Sequence, residues 1–309
     1  MYDLIIIGGG PGGITAGIYA GRQRLKTLLV TKEFGGQMAK KATEVCNYPG
    51  FPRVSSVELI KKFTDHLKCQ DVKIEFNEIN KIEKESDIFA VTTVKKEKIQ
   101  ALSVIIATGA DPRPLEVPGE KEFMGKGISY CVTCDGPLFK NKTIAVVGGG
   151  DAGFEAAIFM ANYAKKIYIL EYGPKPKADA DNQEEAKKIK KIEVITNAAA
   201  KEVKGDNFVK SLVYEDLANK ETKELNLEGI FVEIGSQPAT SLAKGVVDFN
   251  ERDEIKVDFE TFQTKTPGLF AVGDVNTGQY KQIVTAAGEG CKAVLAAYSY
   301  VYALKNAKR

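Results

Sequence analysis

The chain of 309 residues lacks tryptophan and has one histidine and five scattered cysteines. A zinc site needs four ligands, so these few histidines and cysteines argue against one. Five spread cysteines are also too few for a secreted disulfide scaffold. Apolar runs stay short of the roughly 18 residues that a membrane helix needs. No metal and no membrane anchor are therefore expected.

The chain also lacks an excess of charge of either sign, because it has 43 basic and 41 acidic residues and a net charge of +2. Such a balance provides no field for nucleic acid or for a membrane surface. No signal peptide is expected, because Tyr2-Asp3 leads directly into a strand-like apolar run. The absences together predict a cytoplasmic protein, and the length allows two domains.

The pair Cys131 and Cys134, spaced as Cys-x-x-Cys, is the most distinctive chemical feature. It can close a small disulfide ring or supply half of a metal site, and the shortage of other ligands favours a redox dithiol. The thiolate is the reactive species, so a neighbouring group must manage its proton. Asp135 follows directly and is a candidate for that role, although an aspartate before Gly136-Pro137 is equally typical of a turn.

A glycine-rich turn follows the first apolar run. Leu4–Ile7 predicts a strand, Gly8-Gly9-Gly10-Pro11-Gly12-Gly13 predicts a turn, and the residues from Ile14 predict a helix. Strand, glycine turn and helix are the context in which a Gly-x-Gly-x-x-Gly motif binds a dinucleotide. The free N–H groups and the positive dipole end of the helix then face the phosphates.

Each glycine of the motif has its own role. Gly8 suits the tight turn, Gly10 lets the backbone approach a pyrophosphate, and Gly13 lets the helix lie close to the strand. An acidic residue is expected at the end of the second strand to hold the ribose. Thr31 stands there instead, with Glu33 two residues on.

The same pattern recurs later in the chain. Thr143–Val147 predicts a strand, Gly148-Gly149-Gly150-Asp151-Ala152-Gly153 a turn, and Phe154–Asn162 a helix. The glycines repeat at a constant offset, which makes this an internal repeat. Two nucleotide cofactors in two similar domains are therefore predicted.

The second motif differs from the first at the end of its second strand. Glu171 stands there, close to the spacing at which a carboxylate binds the ribose hydroxyls. A carboxylate repels a 2′-phosphate, and the loop that follows offers Lys175 and Lys177 but no arginine fork. These lysines are also typical of a solvated loop.

Several further elements are predicted from local pattern. Val194–Glu202 and Phe208–Asp216 predict strands joined by a hairpin turn, Glu254–Asp258 predicts a short strand, and Gln282–Ala303 predicts an Ala-rich helix.

Motifs spread along the whole chain resemble those of the low-molecular-weight thioredoxin reductases. They are equally similar to the flavoprotein part of alkyl hydroperoxide reductase, without that protein's extra N-terminal domain. The shared segments are Gly8–Gly13, Gly35-Gly36-Gln37, Asn47-Tyr48-Pro49-Gly50, Ala107-Thr108-Gly109, Cys131–Asp135, Gly148–Asp151, Gly273-Asp274-Val275 and Lys281-Gln282-Ile283.

The resemblance implies an α/β fold with two Rossmann-like, three-layer ββα nucleotide-binding domains. The FAD domain is expected to be discontinuous, with residues 1–113 and 243–309. The pyridine-nucleotide domain, residues 114–242, is inserted into it and carries the dithiol. Proline clusters at Pro112–Pro118 and near Pro238 mark the two boundaries.

The resemblance also implies the site residues. Those expected to contact FAD are Gly8, Gly9, Gly10, Pro11, Gly12, Gly13, Lys32, Glu33, Gly36, Gln37, Asn47, Ile79, Ala107, Thr108, Gly109, Gly273, Asp274, Lys281, Gln282 and Ile283. Asp274 is expected on the ribitol and residues 281–283 near the flavin ring. Those expected to contact the nicotinamide nucleotide are Gly148, Gly150, Asp151, Ala152, Gly153, Glu171 and Lys177.

The catalytic roles that the resemblance implies fall on three residues. Cys134 is the sulfur next to the flavin, Cys131 attacks the substrate disulfide, and Asp135 is the acid. The expected enzyme is a homodimeric, FAD-dependent reductase of a thioredoxin-like protein. Two alternatives stay open, which are the reductase of a peroxiredoxin system acting through a glutaredoxin-like carrier, and a flavin-bound redox sensor.

One departure concerns the electron donor. Thioredoxin reductases that use NADPH carry a His-Arg-Arg run and a later arginine, where this chain has Glu171-Tyr172-Gly173 and Lys177. We therefore predict that NADH is preferred to NADPH.

Overall fold

The computed structural model describes residues 1–41 and 44–307. The chain divides into two compact units, each an α/β structure. The first combines Met1–Asp111 with Gln237–Arg309, and the second is Pro112–Ser236. The boundaries predicted after residues 113 and 242 lie slightly further along the chain.

The first unit is built on a mostly parallel sheet. Its strands are β1 (Tyr2–Ile7), β2 (Thr27–Thr31), β5 (Val72–Phe76), β6 (Ile79–Glu85), β7 (Ile88–Thr93), β8 (Lys98–Ile106) and β19 (Leu269–Ala271). The order is β5-β2-β1-β8-β7-β6, and β19 also pairs with β8. Only the pairings of β7 with β6 and β8 are antiparallel among those described here.

The helices of the first unit cover this sheet. They are α1 (Pro11–Arg22), α2 (Gln37–Lys41), α3 (Ser56–Lys68) and α8 (Ile283–Ala307), with short strands β3 (Glu44–Val45) and β4 (Val54–Ser55) before α3. Buried β-branched and leucine side chains of β1 and β8 contribute to two apolar clusters, one on each face, and along β1 they alternate between the two. Burial on both faces is what a parallel sheet requires.

The second unit has three layers. A parallel sheet of order β10-β17-β11-β12-β13 contains β10 (Ile128–Ser129), β11 (Thr143–Val147), β12 (Lys166–Leu170), β13 (Ile192–Ile195) and β17 (Gly229–Val232). An antiparallel sheet contains β14 (Ala198–Gly205), β15 (Val209–Asp216) and β16 (Glu221–Asn226). The helices are α4 (Glu120–Phe123), α5 (Val132–Asp135), α6 (Asp151–Met160) and α7 (Ala180–Lys188).

Each face of the parallel sheet in the second unit has its own core. Side chains of the antiparallel sheet pack on one face, and those of α6 pack on the other. The predicted fold, two Rossmann-like ββα units, is confirmed.

Two element predictions differ from the structure. Val194–Glu202 is not one strand, because Asn197 has φ +54° and the chain turns there from β13 into β14. Residues 254–258 form no ladder in the described chain, and Ile255 makes only isolated bridges with Phe249 and Asn276. Its side chain is buried, so tertiary packing rather than strand pairing fixes this segment.

The chain crosses between the units at two short strands, β9 (Ala110–Pro112) and β18 (Ser236–Pro238). Within the first unit, the N–H of Ala239 donates to the carbonyl of Gly109 at 3.0 Å. Within the second, the N–H of Arg113 donates to the carbonyl of Gly235 at 2.9 Å. In each unit, the two chain segments that lead to the other unit are therefore hydrogen-bonded neighbours.

Candidate functional site

The sulfur atoms of Cys131 and Cys134 form a disulfide at the start of α5, with Cα atoms 5.3 Å apart. Cys131 is the extended residue that precedes the helix, and its Sγ accepts a hydrogen bond from the N–H of Cys134 at 3.3 Å. Cys134 is exposed, whereas Cys131 is half-buried. The spacing predicted for a redox pair is thus realised as a closed disulfide ring whose two residues are both at least partly exposed.

Asp135 lies at the end of the same short helix and contacts Ser129. The Ser129 hydroxyl donates to Asp135 Oδ2 at 2.6 Å and accepts from the N–H of Cys131 at 3.0 Å. Burial raises the pKa of Asp135 above its ordinary value, and the Ser129 hydrogen bond partly offsets this increase. A carboxyl group that holds its proton more firmly than usual therefore stands beside the dithiol.

A buried carboxylate, Glu120, braces the segment before the dithiol. Its two oxygens accept from the N–H groups of Leu115 at 2.7 Å and Glu116 at 2.8 Å. Oε1 also accepts from the hydroxyl of Tyr130, the residue that precedes Cys131. Sequence reasoning did not single out Glu120 or Ser129, because neither belongs to a motif and their partners are set by the fold.

The glycine turn of the second unit has the geometry of a nucleotide cradle. Gly148 has φ +128°, and a side chain on it would collide with the carbonyl of Glu233. A side chain on Gly153 would collide with the carbonyl of Gly148. The close approach of α6 to the turn after β11 therefore requires glycine at position 153. A Cβ on Gly150, by contrast, would face open space before the N-terminus of α6. A pyrophosphate fits that space.

Glu171 follows β12 and is held against the glycine turn. Oε2 accepts from the N–H of Gly149 at 2.9 Å, and Oε1 accepts from the N–H of Gly173 at 2.6 Å. The side chain is buried. Each carboxylate oxygen has a second lone pair, so Glu171 can still accept hydrogen bonds from ribose hydroxyls.

The other predicted nicotinamide residues surround the same turn. Asp151 Oδ1 accepts from the N–H of Asp179 at 2.7 Å and from Asn182 Nδ2 at 3.1 Å, which ties α6 to the start of α7. Ala152 is exposed in the first turn of α6. The N–H of Lys177 donates to the carbonyl of Gly149 at 2.8 Å, while its side chain is exposed.

The glycine turn of the first unit repeats this construction. Gly8 has φ +120°, and a side chain on it would collide with the carbonyl of Ala107. A side chain on Gly13 would collide with the carbonyl of Gly8, and a Cβ on Gly10 would face open space. A Cβ on Gly9 would lie 2.6 Å from Thr31 Oγ1, so a small hydroxyl side chain occupies the place where the second unit has Glu171.

Gln37 carries a buried polar atom that lacks a partner. Its Nε2 donates to Asp111 Oδ1 at 2.5 Å, but Oε1 has no hydrogen bond among the described residues. A Cβ on neighbouring Gly36 would lie 3.3 Å from the Cα of Gly10, so this loop adjoins the glycine turn. An acceptor left unpaired beside a nucleotide cradle fits a donor group on a bound dinucleotide.

Two loops predicted to approach the flavin are joined to each other. Asn47 Nδ2 donates to Gln282 Oε1 at 3.2 Å. Lys281 Nζ forms an ion pair with Glu254 Oε1 at 3.0 Å and donates to the carbonyl of Asp274 at 3.2 Å. Ile283 begins α8 and packs against the small apolar cluster that contains Met38 and Leu59.

Glu289 of α8 fixes the turn that contains Gly273 and Asp274. Its Oε2 accepts from the N–H of Gly273 at 2.6 Å and from Asn276 Nδ2 at 2.7 Å. Burial raises the pKa of Glu289, and these two donors partly offset that increase. Glu289 was missed from sequence, where the available signal was one acid between two glycines in an Ala-rich helix.

The remaining predicted FAD residues lie at the edges of this cradle. Lys32 pairs with Glu78 at 2.6 Å, next to buried Ile79. Thr108 Oγ1 donates to the carbonyl of Ala239 at 2.7 Å. The other positions are Pro11 at the start of α1, Gly12 against the carbonyl of Ala286, Glu33 whose carbonyl accepts from Thr31 Oγ1, buried Ala107, and Gly109 with φ +70°.

Residues 1–41 and 44–307 contain neither a candidate metal site nor a candidate membrane-spanning helix. They contain no cluster of three or more histidine, cysteine or acidic side chains arranged to hold a metal ion. Nor does that part of the chain contain a helix with the length and hydrophobicity needed to cross a lipid bilayer.

Comparisons with known proteins agree with this geometry. The family model described as pyridine nucleotide-disulphide oxidoreductase matches residues 2–290. The chain is similar to thioredoxin reductase from Streptococcus pyogenes MGAS5005, with a TM-score of 0.93 at 34% identity over 98% of this chain and 99% of that one.

Two relatives at the sequence level are longer than this chain. One subunit of alkyl hydroperoxide reductase of Escherichia coli (strain K12) is 39% identical over 99% of this chain and 59% of its own length. NADH dehydrogenase of Bacillus subtilis (strain 168) is 36% identical over 97% of this chain and 58% of its own length. The chain thus spans less than two thirds of the curated relatives it matches.

The family match covers nearly all of the chain, and the solved structure covers 98% of it. FAD and NAD(P)H are the cofactors of this family. The two glycine cradles and the Cys131–Cys134 disulfide supply the features that such chemistry needs. The chain belongs to the pyridine nucleotide-disulphide oxidoreductase family.

Proposed function

We propose that the protein is an FAD-dependent reductase that uses NADH to reduce the disulfide of a thioredoxin-like protein. The observation that carries this proposal is the Cys131–Cys134 disulfide, whose Cys131 backbone is linked through Ser129 to half-buried Asp135, in the same unit as a glycine nucleotide cradle. Bound FAD supplies transfer of two electrons from the nicotinamide to that disulfide. Its binding residues are proposed to be those placed around Gly8–Gly13, Gln37, Asn47, Asp274 and Lys281–Ile283.

The protein's own sulfur atoms carry out the exchange. Two electrons and two protons convert the Cys131–Cys134 disulfide into two thiols. The Cys131 thiolate attacks a partner disulfide, forms a mixed disulfide and releases one partner thiolate, which takes a proton. Cys134 then attacks the Cys131 sulfur, restores the original disulfide and releases the second partner thiol.

Asp135 supplies and retrieves protons during these steps. Its raised pKa keeps part of the population protonated at a pH where an ordinary aspartate is ionised. Ser129 positions the carboxyl group relative to the backbone of Cys131. Asp135→Asn should therefore slow exchange without releasing FAD.

NADH is the proposed donor because of Glu171. Two backbone N–H groups hold the carboxylate in place, and its remaining lone pairs suit the two ribose hydroxyls. A 2′-phosphate at this position would place about two negative charges beside a buried carboxylate, which would repel them. A relative named NADH dehydrogenase supports the same choice.

The partner protein is proposed from similarity. The likeness to thioredoxin reductase favours a thioredoxin-like disulfide. The relative that is a subunit of alkyl hydroperoxide reductase favours a second candidate, a peroxiredoxin system reached through a glutaredoxin-like carrier. A homodimer stays a prediction.

Rotation of the unit Pro112–Ser236 about its two crossings is proposed as part of the cycle. Within each unit the crossings are hydrogen-bonded neighbours, so they can act as one hinge. A verified cross-link between the units should stop turnover while one half-reaction survives. Unchanged turnover in the linked protein would end this part of the proposal.

The test is steady-state reduction of thioredoxin by the FAD-loaded protein with NADH. Cys131→Ser and Cys134→Ser should abolish turnover while flavin reduction by NADH survives. Cys69→Ser, an exposed free cysteine in the first unit, is the matched control and should keep full activity. Normal turnover in either dithiol variant would refute the mechanism. Absence of turnover in the wild type with any protein disulfide would favour the redox sensor.

A further inference from the structure

Glu233 stands at the centre of the second unit's nucleotide crevice. In the sheet order β10-β17-β11-β12-β13, the glycine turn follows β11, Glu171 follows β12 and Glu233 follows β17. The N–H of Glu233 donates to the carbonyl of Val147 at 2.8 Å, and Gly148 packs against the Glu233 carbonyl. Glu233 and Glu171 therefore flank the turn from opposite sides.

The side chain of Glu233 lies on the sheet face covered by α6. Ile230 and Val232 belong to the core on the other face, while Phe231 packs with Phe154 of α6. Because side chains alternate along a strand, Glu233 shares the face of Phe231. This is also the face at whose edge the N-terminus of α6 offers its phosphate cradle.

The carboxylate of Glu233 lacks a partner in the described part of the chain. No hydrogen bond or ion pair reaches it there, and the residue is half-buried. Burial raises its pKa to about 7. A half-buried carboxylate that has no protein donor keeps its acceptor oxygens available, so its position at the crevice points to a donor that arrives with a ligand.

The sheet order fixes which part of a dinucleotide can reach Glu233. With the adenosine ribose on Glu171 and the pyrophosphate before Gly150, the chain of the ligand runs from β12 across β11 toward β17. The nicotinamide half then lies over the end of β17. This step rests on the proposed function. The donors in that half are the ribose hydroxyls and the carboxamide amino group.

We propose that Glu233 is a binding residue for the nicotinamide half of the donor, accepting hydrogen bonds from its ribose hydroxyls or its carboxamide. Glu171 and Glu233 thereby recognise the two ends of one dinucleotide. The assignment predicts that Glu233 contributes to the binding of whole nucleotides and not to that of the adenosine diphosphate fragment.

The test is calorimetric binding of three ligands to the FAD-loaded protein, which are ADP, ADP-ribose and NAD⁺. In Glu233→Ala, loss of charge-assisted hydrogen bonds should weaken NAD⁺ binding about ten- to a hundredfold. ADP binding should be unchanged, which also shows that the variant is folded. A loss shared by ADP-ribose assigns the contact to the ribose, and a loss confined to NAD⁺ assigns it to the carboxamide.

Glu122→Ala, an exposed acid in the same unit, is the control and should bind all three ligands as the wild type does. Glu233→Gln keeps one acceptor oxygen and should fall between the wild type and the alanine variant. Equal NAD⁺ affinity in Glu233→Ala and wild type would overturn the inference while leaving the proposed function intact. A wild type that binds neither NAD⁺ nor ADP would overturn both.

Discussion

The hydroxyl of Ser129 donates a 2.6 Å hydrogen bond to Oδ2 of Asp135, and the Ser129 oxygen accepts from the N–H of Cys131. One residue outside the Cys-x-x-Cys motif thus joins the backbone of the redox pair to its acid. The contact lowers the pKa of Asp135, against the larger effect of burial, which raises it.

Ser129→Ala should shift the pH profile of dithiol–disulfide exchange. Removing a hydrogen bond to the charged carboxylate raises the pKa of Asp135 further, so the protonated acid persists to higher pH. The limb of the pH profile that reports ionisation of Asp135 should shift to a pH about one unit higher. Ser211→Ala is the control, because Ser211 donates to Glu224 Oε1 at 2.5 Å in the antiparallel sheet of the same unit. A profile unchanged from the wild type would show that Ser129 does not tune Asp135.

Glu289→Ala should loosen FAD. The substitution leaves the N–H of Gly273 and the amide of Asn276 without their buried acceptor, which costs about 1–3 kcal/mol for each donor. The turn at Gly273-Asp274 should then lose its fixed shape, and FAD affinity should fall at least about tenfold. Fluorescence of released FAD measures this. Glu260→Ala, whose side chain is 91% exposed, should retain the cofactor, and equal retention by both variants would contradict the role of Glu289.

Glu233→Gln should stabilise the second unit at high pH and not at low pH. Burial raises the folded-state pKa of Glu233 to about 7, whereas an unfolded glutamate ionises near pH 4.3. Ionisation of Glu233 therefore favours unfolding as the pH rises through this window. The folded state has lost the full amount of stability above about pH 7. The variant should gain about 2–3 kcal/mol over wild type at about pH 8 and little at about pH 4.

Urea unfolding at the two pH values measures this difference, with Glu122→Gln as the exposed control. The same gain at both pH values would show that the benefit is not the removal of a buried charge.

NADH should exceed NADPH by about a hundredfold in the specificity constant for flavin reduction, equivalent to about 2–3 kcal/mol. The combined variant Glu171→His, Tyr172→Arg and Gly173→Arg should shift preference toward NADPH. Gly173→Arg alone should impair both nucleotides, because a Cβ there would lie 2.9 Å from Glu171 Oε1. Equal or better reduction by NADPH in the unmodified protein would refute the charge argument.

The repeated strand–glycine–helix units could be predicted from sequence because their signals are local. Gly8 and Gly148 have backbone angles that favour glycine. The helices after them begin at Pro11 and Asp151, three residues before the predicted starts at Ile14 and Phe154. The prediction of one strand over Val194–Glu202 was wrong at Asn197, which has a positive φ. Asparagine adopts this conformation more readily than most residues, but the hydrophobic pattern does not show where it does so.

The supporting residues could not be predicted for a different reason. Ser129, Glu289 and Glu233 owe their roles to partners or burial set by tertiary packing, and no spacing in the chain records those contacts. Glu171 was predicted from its position after the strand. Its two backbone donors, Gly149 and Gly173, appear only in the folded loop.

The central claim is that electrons from NADH pass through bound flavin to the Cys131–Cys134 disulfide. Anaerobic titration of the FAD-loaded protein with NADH, followed by counting of free thiols, tests it most directly. The wild type should consume about two equivalents of NADH per flavin and expose two new thiols, because flavin and disulfide each take two electrons. Cys134→Ser should consume about one. Consumption of one equivalent by both proteins, with no new thiols in the wild type, would contradict the account.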